Sequence, residues 1–197
     1  MKPLPLLPAE TFHAFGFLTR RGFLSAAECA RLKRAMRTGR ALPGEIRARG
    51  RGVRSRIDRR VDVVSVSAAV RARVDRALRA ILPAIEERFG RRLRGHETVQ
   101  FLRYRTGGRY VLHTDRTPGT RDPAVRRRKV SVIVFLGRPG RGGELVFPAT
   151  RAGERIPRVL LAIRPEPGLL LAFRPGIEHE VRPVRRGTRY TLATWCV

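Results

Sequence analysis

At 197 residues the chain is long enough for one domain with a sizeable core and short for two. Its 42% hydrophobic content excludes a wholly disordered chain, and its two distant cysteines, Cys29 and Cys196, exclude a disulfide framework or a zinc cluster of CxxC type. The formal net charge of +27 invites a polyanionic partner, yet 40 arginines stand against 3 lysines amid many Ala, Gly, Pro and Val residues, the skew that GC-rich coding produces whatever the partner.

The first residues, Met1 to Phe17, lack a sustained apolar run before Glu10 and His13, so no secretory signal is expected. No uncharged stretch is long enough to span a bilayer. A cytoplasmic location and no membrane partner are the expectation. Leu24 to Arg37 is predicted helical: Ser25 and Glu28 form an S-x-x-E capping box, Leu24 can staple onto Cys29, and Cys29, Leu32 and Met36 recur at core spacing until Gly39. Residues 43–60 carry Pro43 and a run of arginines including Arg47, Arg51, Arg59 and Arg60, read as a solvated loop with a basic lid as the alternative. From Ser67 to Phe89 a second helix is predicted from Val70, Val74, Leu78, Ile81, Ile85 and Phe89, stopped by Gly90 and kinked or divided at Pro83.

After Gly95 the pattern turns to short β-type runs: 98–104, 110–115, 129–136, 144–147, 159–163, 169–173, 179–184 and 189–196. Gly and Pro residues punctuate nearly all of them. Eight short strands in about 100 residues point to a barrel or a jelly roll. Neither half offers a self-sufficient core and no linker divides them. We therefore expect an α+β fold forming a single domain over 1–197, with 1–95 mainly helical support and a basic loop and 96–197 the strand-rich core.

Chemistry concentrates in Tyr104 to Asp115. On an extended strand Arg109, Val111, His113 and Asp115 share one face, so His113 and Asp115 can chelate one cation. His179, after the Pro175-Gly176 turn, is a candidate third ligand. Two histidines and one carboxylate with open positions opposite make the ligand set of non-haem Fe(II) oxygenases. His13 and His96 have no partners at ligand spacing and are read as structural or surface residues. Trp195 is expected in the core, and Glu178 and Glu180 should point away from the face of His179.

From Gln100 to Trp195 the chain resembles the Fe(II)- and 2-oxoglutarate-dependent dioxygenases, most nearly the prolyl 4-hydroxylase type. The resemblance is carried by Tyr104…Tyr110-Val111-Leu112-His113-Thr114-Asp115, by Gly142-Gly143-Glu144-Leu145-Val146-Phe147, by Pro167-Gly168-Leu169 to Phe173, and by His179 followed by Pro183-Val184, Gly187-Thr188-Arg189-Tyr190 and Trp195. It implies a double-stranded β-helix (jelly roll) core and an enzyme in which His113, Asp115 and His179 bind iron. Arg189 would pair with the distal carboxylate of 2-oxoglutarate and Tyr104 would add a hydrogen bond to it, a job suited to a planar guanidinium fork. Phe135 departs from the pattern, standing where some relatives carry another tyrosine. The implied reaction consumes 2-oxoglutarate and O2, releases succinate and CO2, and hydroxylates an unactivated C–H bond of a peptide, prolyl among the candidates, or of a small molecule. Closure of 43–60 or of the turn 116–128 would shield such chemistry from water. Three alternatives stand beside this reading: an AlkB-like nucleic-acid demethylase, a non-catalytic jelly-roll binding module, and a zinc-dependent cupin-like enzyme. The AlkB type has a second arginine six residues after the co-substrate arginine, where this chain has Trp195.

Overall fold

The computed structural model describes residues 5–44, 46–48, 51–53, 59–116, 119–151 and 154–197. The chain begins with β1 (Leu6–Leu7), α1 (Ala9–Ala14), β2 (Leu18–Arg20) and α2 (Ala26–Thr38). Then come β3 (Ala41–Pro43), β4 (Ile46–Ala48), β5 (Arg51–Val53), β6 (Arg59–Arg60), β7 (Asp62–Val64) and the long α3 (Ala68–Phe89). The second half holds β8 (Gln100–Tyr104), β9 (Arg109–His113), α4 (Pro123–Arg127), β10 (Val130–Phe135), β11 (Arg141–Gly142) and β12 (Leu145–Arg151). It closes with β13 (Glu154–Ile163), β14 (Leu170–Phe173), β15 (His179–Val181), β16 (Val184–Arg186) and β17 (Arg189–Cys196).

The strands form a six-stranded sheet in the order β1-β13-β12-β15-β9-β6 and a seven-stranded sheet in the order β2-β14-β10-β17-β8-β7-β3. Apart from the parallel β1–β13 pair, neighbours in these two sheets run antiparallel. The architecture is the expected α+β jelly roll. The N-terminal half does more than supply helices, because β1 and β6 extend one sheet and β2, β3 and β7 extend the other. Strands of two or three residues are too short to show an alternating pattern. Of the basic stretch 43–60, residues 45, 49–50 and 54–58 lie outside the described residues, as do 117 and 118 in the turn 116–128.

Two cores share the seven-stranded sheet. On its outer face Val130, Val132 and Val134 of β10, Leu170 and Ala172 of β14, Leu192 and Cys196 of β17 and Phe101 of β8 pack under α2 and α3. On its inner face Phe135, Leu171, Phe173, Leu102 and Tyr104 meet Leu145, Phe147 and Val181 of the opposite sheet. Burial on both faces explains why β14 reads as a continuous apolar run and β10 as one broken only by Ser131.

Both helices start as the sequence predicts. The Glu28 backbone N–H donates to Ser25 Oγ at 3.2 Å while the Ser25 N–H donates to the Glu28 carboxylate at 2.9 Å. The Ser25 backbone N–H foremost, and then the Ser25 hydroxyl, which also donates to that carboxylate at 2.9 Å, hold the Glu28 carboxyl below its ordinary pKa. At the other end of α2, buried Arg103 donates to the Met36 and Arg37 carbonyls at 2.9 and 3.1 Å and to Asp62 at 2.9 Å, tying the helix terminus to β7 and β8. Pro83 does not divide α3, which is continuous from Ala68 to Phe89. The carbonyl that loses its donor belongs to Arg79, and both Arg79 and Pro83 are exposed, so water can satisfy it while Val74, Leu78, Ile85 and Phe89 anchor the opposite face.

Gly168 shows how tightly α2 is seated. Its φ is +78°, its N–H donates to the Phe135 carbonyl at 2.8 Å, and a Cβ there would overlap the Leu24 carbonyl. Gly90 also has a left-handed φ, +59°, but nothing lies within 4 Å of its Cβ position. Gly168→Ala should therefore cost roughly 2–4 kcal/mol of stability and Gly90→Ala about 1 kcal/mol, compared by chemical denaturation. Equal losses would mean the loop yields around residue 168 without strain.

Candidate metal centre and its cavity

The two candidate histidines are brought together by strand register. In the antiparallel β9–β15 pair His113 lies opposite His179, and the imidazole centroids are 4.2 Å apart. The next aligned pair is Tyr110 with Val181, so three steps on β9 match two on β15. This bulge corrects the strict alternation expected from the sequence. Val111 does not share the face of His113: it and Leu112 turn outward, 36% and 39% exposed, while Tyr110 turns inward and stacks on His113 with centroids 3.5 Å apart. Asp115 also differs from expectation, because β9 ends at His113 and the carboxylate reaches the site from the following bend.

The three side chains nevertheless converge. Asp115 Oδ1 is 3.8 Å from His113 Nε2, Asp115 Oδ2 is 3.6 Å from His179 Nε2, and the ligand atoms of the triad lie within 4.8 Å of one another. Each imidazole is oriented through its other nitrogen: His113 Nδ1 lies 2.8 Å from the Val111 carbonyl and His179 Nδ1 lies 3.0 Å from that of Ile177. A carbonyl can only accept, so Nδ1–H donates and Nε2 presents its lone pair. Burial foremost, and then the neighbouring His179, lower the His113 pKa to about 3, leaving a neutral ring able to bind a cation. The donor set of two imidazoles and one carboxylate fits a divalent iron. Among the described residues it is the only such cluster, and neither His13 nor His96 takes part in it.

Asp115 is held from the opposite sheet. Ser131 Oγ on β10 donates to its Oδ2 at 2.6 Å, and the Trp195 indole on β17 is its second hydrogen-bond donor. Burial would raise the Asp115 pKa, but His179, His113 and these two donors outweigh it and keep the carboxyl below its ordinary range. Arg128 braces the arrangement: its guanidinium lies 3.6 Å over the Trp195 ring, is paired in a fork with Glu97 at 2.7 and 2.9 Å, and donates to the Asp115 carbonyl at 3.0 Å. Sequence reasoning placed Trp195 in the core without this role and passed over Ser131. The available signal was that Ser131 is the one polar residue in the run Val130–Leu136.

Arg189 and Tyr104 face each other across the β17–β8 pair and line the same cavity as the triad. Arg189 is 2% exposed. Its Nη1 donates to Thr191 Oγ1 at 3.2 Å, its guanidinium lies 5.0 Å from the Tyr104 ring and 5.6 Å from that of Phe135, and Nη2 has no hydrogen-bond partner among the described residues. Burial lowers its pKa, opposed by the Tyr104 hydroxyl. An unsatisfied donor on a buried cation suits an anionic ligand. Gly143 permits the arginine its position, since at φ +72° its Cβ would lie 2.9 Å from Val184 Cγ2 and 3.3 Å from Arg189 Cδ. Arg59 and Gln100, joined at 2.7 Å, line the remaining wall, with Arg59 4.9 Å from the Tyr110 ring.

The family model described as the 2OG-Fe(II) oxygenase superfamily matches residues 99–197. The chain belongs to that superfamily. It is therefore a dioxygenase that uses Fe(II), 2-oxoglutarate and O2. No curated protein matches it in sequence. Among solved structures, a Pseudomonas putida prolyl-4-hydroxylase is 23% identical, with 92% of this chain and 91% of that one covered and a TM-score of 0.66. A prolyl hydroxylase from Trichoplax adhaerens, in complex with a hypoxia inducible factor oxygen degradation domain peptide fragment, is 20% identical, with coverage of 95% and 86% and a TM-score of 0.70. A viral collagen prolyl hydroxylase from Paramecium Bursaria Chlorella virus-1 is 21% identical, with coverage of 91% and 94% and a TM-score of 0.62. These likenesses establish a shared fold. No helix among the described residues of the oxygenase is long and apolar enough to cross a membrane.

The depressed His113 pKa sets a pH dependence. A histidine that titrates near 6.5 when unfolded and about 3 when folded leaves the unfolded chain the better proton binder between those values. The metal-free oxygenase should lose stability as pH falls from 6.5 towards 3, read from melting temperatures. A flat profile that His113→Ala leaves unchanged would show that the imidazole is solvated.

Proposed function

We propose that this oxygenase hydroxylates an unactivated C–H bond of a peptide substrate, prolyl residues foremost, with His113, Asp115 and His179 holding Fe(II) and Arg189 and Tyr104 anchoring the distal carboxylate of 2-oxoglutarate. The observation that carries the reading is the buried Arg189, whose Nη2 lacks a protein partner and which lines one cavity with the His-Asp-His cluster. Support for a peptide comes from the peptide held by the Trichoplax adhaerens relative. O2 is the oxidant and would be activated at the iron, with 2-oxoglutarate giving two electrons as it is converted to succinate and CO2 and the substrate C–H bond giving the other two. The chain's own work is to fix three ligand atoms, neutralise the distal carboxylate and wall off water with Leu102, Leu145 and Val181.

The chain acts as one unit on this reading, since Arg59 from its N-terminal half lines the cavity. The free, buried Cys29 and Cys196 fit the reducing cytoplasm expected from the sequence. A small-molecule substrate is an outcome of the same assay. A nucleic-acid substrate has less support: Trp195, at the position of the second AlkB-type arginine, is bonded to Asp115.

With Fe(II) and 2-oxoglutarate, proline-containing peptides should stimulate succinate release above the uncoupled background. Asp115→Ala should abolish metal binding in calorimetry with Mn(II) as the probe. Arg189→Ala should retain metal but weaken 2-oxoglutarate binding by roughly 100-fold, the cost of losing a buried charge-assisted fork. Unchanged metal affinity in the first variant, or unchanged 2-oxoglutarate affinity in the second, would remove that residue from the site.

A further inference from the structure

A second concavity opens beside the metal centre. It is a groove of about 540 Å³ whose polar lining is Arg91, Arg116, Arg126, Arg127, Lys129 and Arg174. It abuts the site in sequence and in space: Arg116 follows Asp115, and Gly176 in the groove wall lies on the turn leading to His179. The Arg116 N–H donates to the Pro175 carbonyl at 2.9 Å, and Arg116 Nη1 donates to the Arg128 carbonyl at 3.2 Å, fixing the two loops that carry these residues. All five arginines are exposed. None of the six cations forms an ion pair among the described residues. The nearby acids are otherwise engaged: Glu97 is held by Arg128, and the Asp122 carboxylate caps α4 by accepting from Ala124 and Val125 at 2.9 and 3.4 Å. Six like charges crowded against one another repel, and an anionic guest relieves that repulsion.

We infer that this groove binds acidic side chains of the peptide substrate, flanking the residue presented to the metal, an inference that rests on the peptide reading above. Acidic peptide is favoured over single-stranded nucleic acid because the groove offers no stacking platform. Its one aromatic, Phe89, is 9% exposed and packed in the core under α3, so no ring is free to stack a base. Arginine forks suit carboxylates bidentately, and an extended segment with several carboxylates can meet several of the six cations where a single small anion would meet only a few.

The test measures anisotropy of labelled probes on the full chain loaded with Mn(II) and 2-oxoglutarate, so that binding is read without turnover. The probes are a proline peptide flanked by aspartates, the same peptide with serines in their place, and oligothymidylate. The groove variant is Arg126→Gln/Arg127→Gln/Arg174→Gln. The control, Arg34→Gln/Arg37→Gln/Arg138→Gln, removes equal charge from a different basic pocket, one that also contains Lys33 and Tyr190. The aspartate peptide should bind about tenfold tighter than the serine peptide, lose that advantage at high salt and in the groove variant, and keep it within about twofold in the control. Equal weakening by both variants would overturn the proposal in favour of diffuse charge. Groove-dependent binding of oligothymidylate tighter than that of the aspartate peptide would overturn it in favour of nucleic acid. With Fe(II) in place of Mn(II), equal succinate yield from both peptides would sink the groove and leave the peptide reading intact. Groove-dependent binding of the aspartate peptide with no peptide-stimulated succinate would sink the peptide reading and leave an acidic-peptide site.

Discussion

The Asp115 carboxylate must stay ionised in a buried place, and most of the site is arranged to meet that demand. Burial opposes the charge, while the His179 and His113 imidazoles, the Ser131 hydroxyl and the Trp195 indole favour it. The donors come from β10 and β17, whereas both histidines come from the facing sheet, so the carboxylate is where the two sheets are cross-linked by polar contacts. Arg128 then couples that contact to Glu97 at the mouth of β8. A bound divalent cation would add its own charge to the groups that favour the ionised carboxylate.

The seven-stranded sheet makes stability and function inseparable. In β17 Leu192 and Cys196 face the helices, while Arg189, Thr191, Ala193 and Trp195 face the cavity. In β8 Phe101 and Arg103 serve the helix layer and Gln100, Leu102 and Tyr104 serve the site. A slip of one residue in either strand would exchange these sets, placing guanidinium among valines and phenylalanine in the cavity. The packing of α2 and α3 on the outer face therefore fixes the register that sets Arg189 opposite Tyr104.

This two-faced use of the sheet also governs what could be read in the sequence. The capping box at Ser25, the α3 stripe and the eight strand runs were legible because each is a local pattern with a local cause. The ligand candidates were legible as motif pieces whose order is constrained by the chain. The bulge between Tyr110 and His113 was not, since it depends on how β9 pairs with β15, a residue far along the chain. It brings Tyr110, which strict alternation would put on the face opposite His113, into a stack on the His113 ring. The short strands β2, β3 and β7 were equally hidden, because two or three residues carry no period and their identity as strands is conferred by the edge they join.

The arginine excess takes on a different meaning once positions are known. A coding skew can supply arginines indiscriminately, but it does not choose where they fold. Arg189, Arg103 and Arg128 are 2%, 6% and 7% exposed, and each uses the planar fork for something an ammonium does poorly: bonding Thr191 through one nitrogen while leaving another in the cavity lining, capping two helix carbonyls at once, or lying flat on an indole. The exposed arginines, by contrast, are interchangeable as charges and matter by their grouping. Where they gather beside the candidate metal centre without acidic partners among the described residues, they turn a compositional bias into a local positive field.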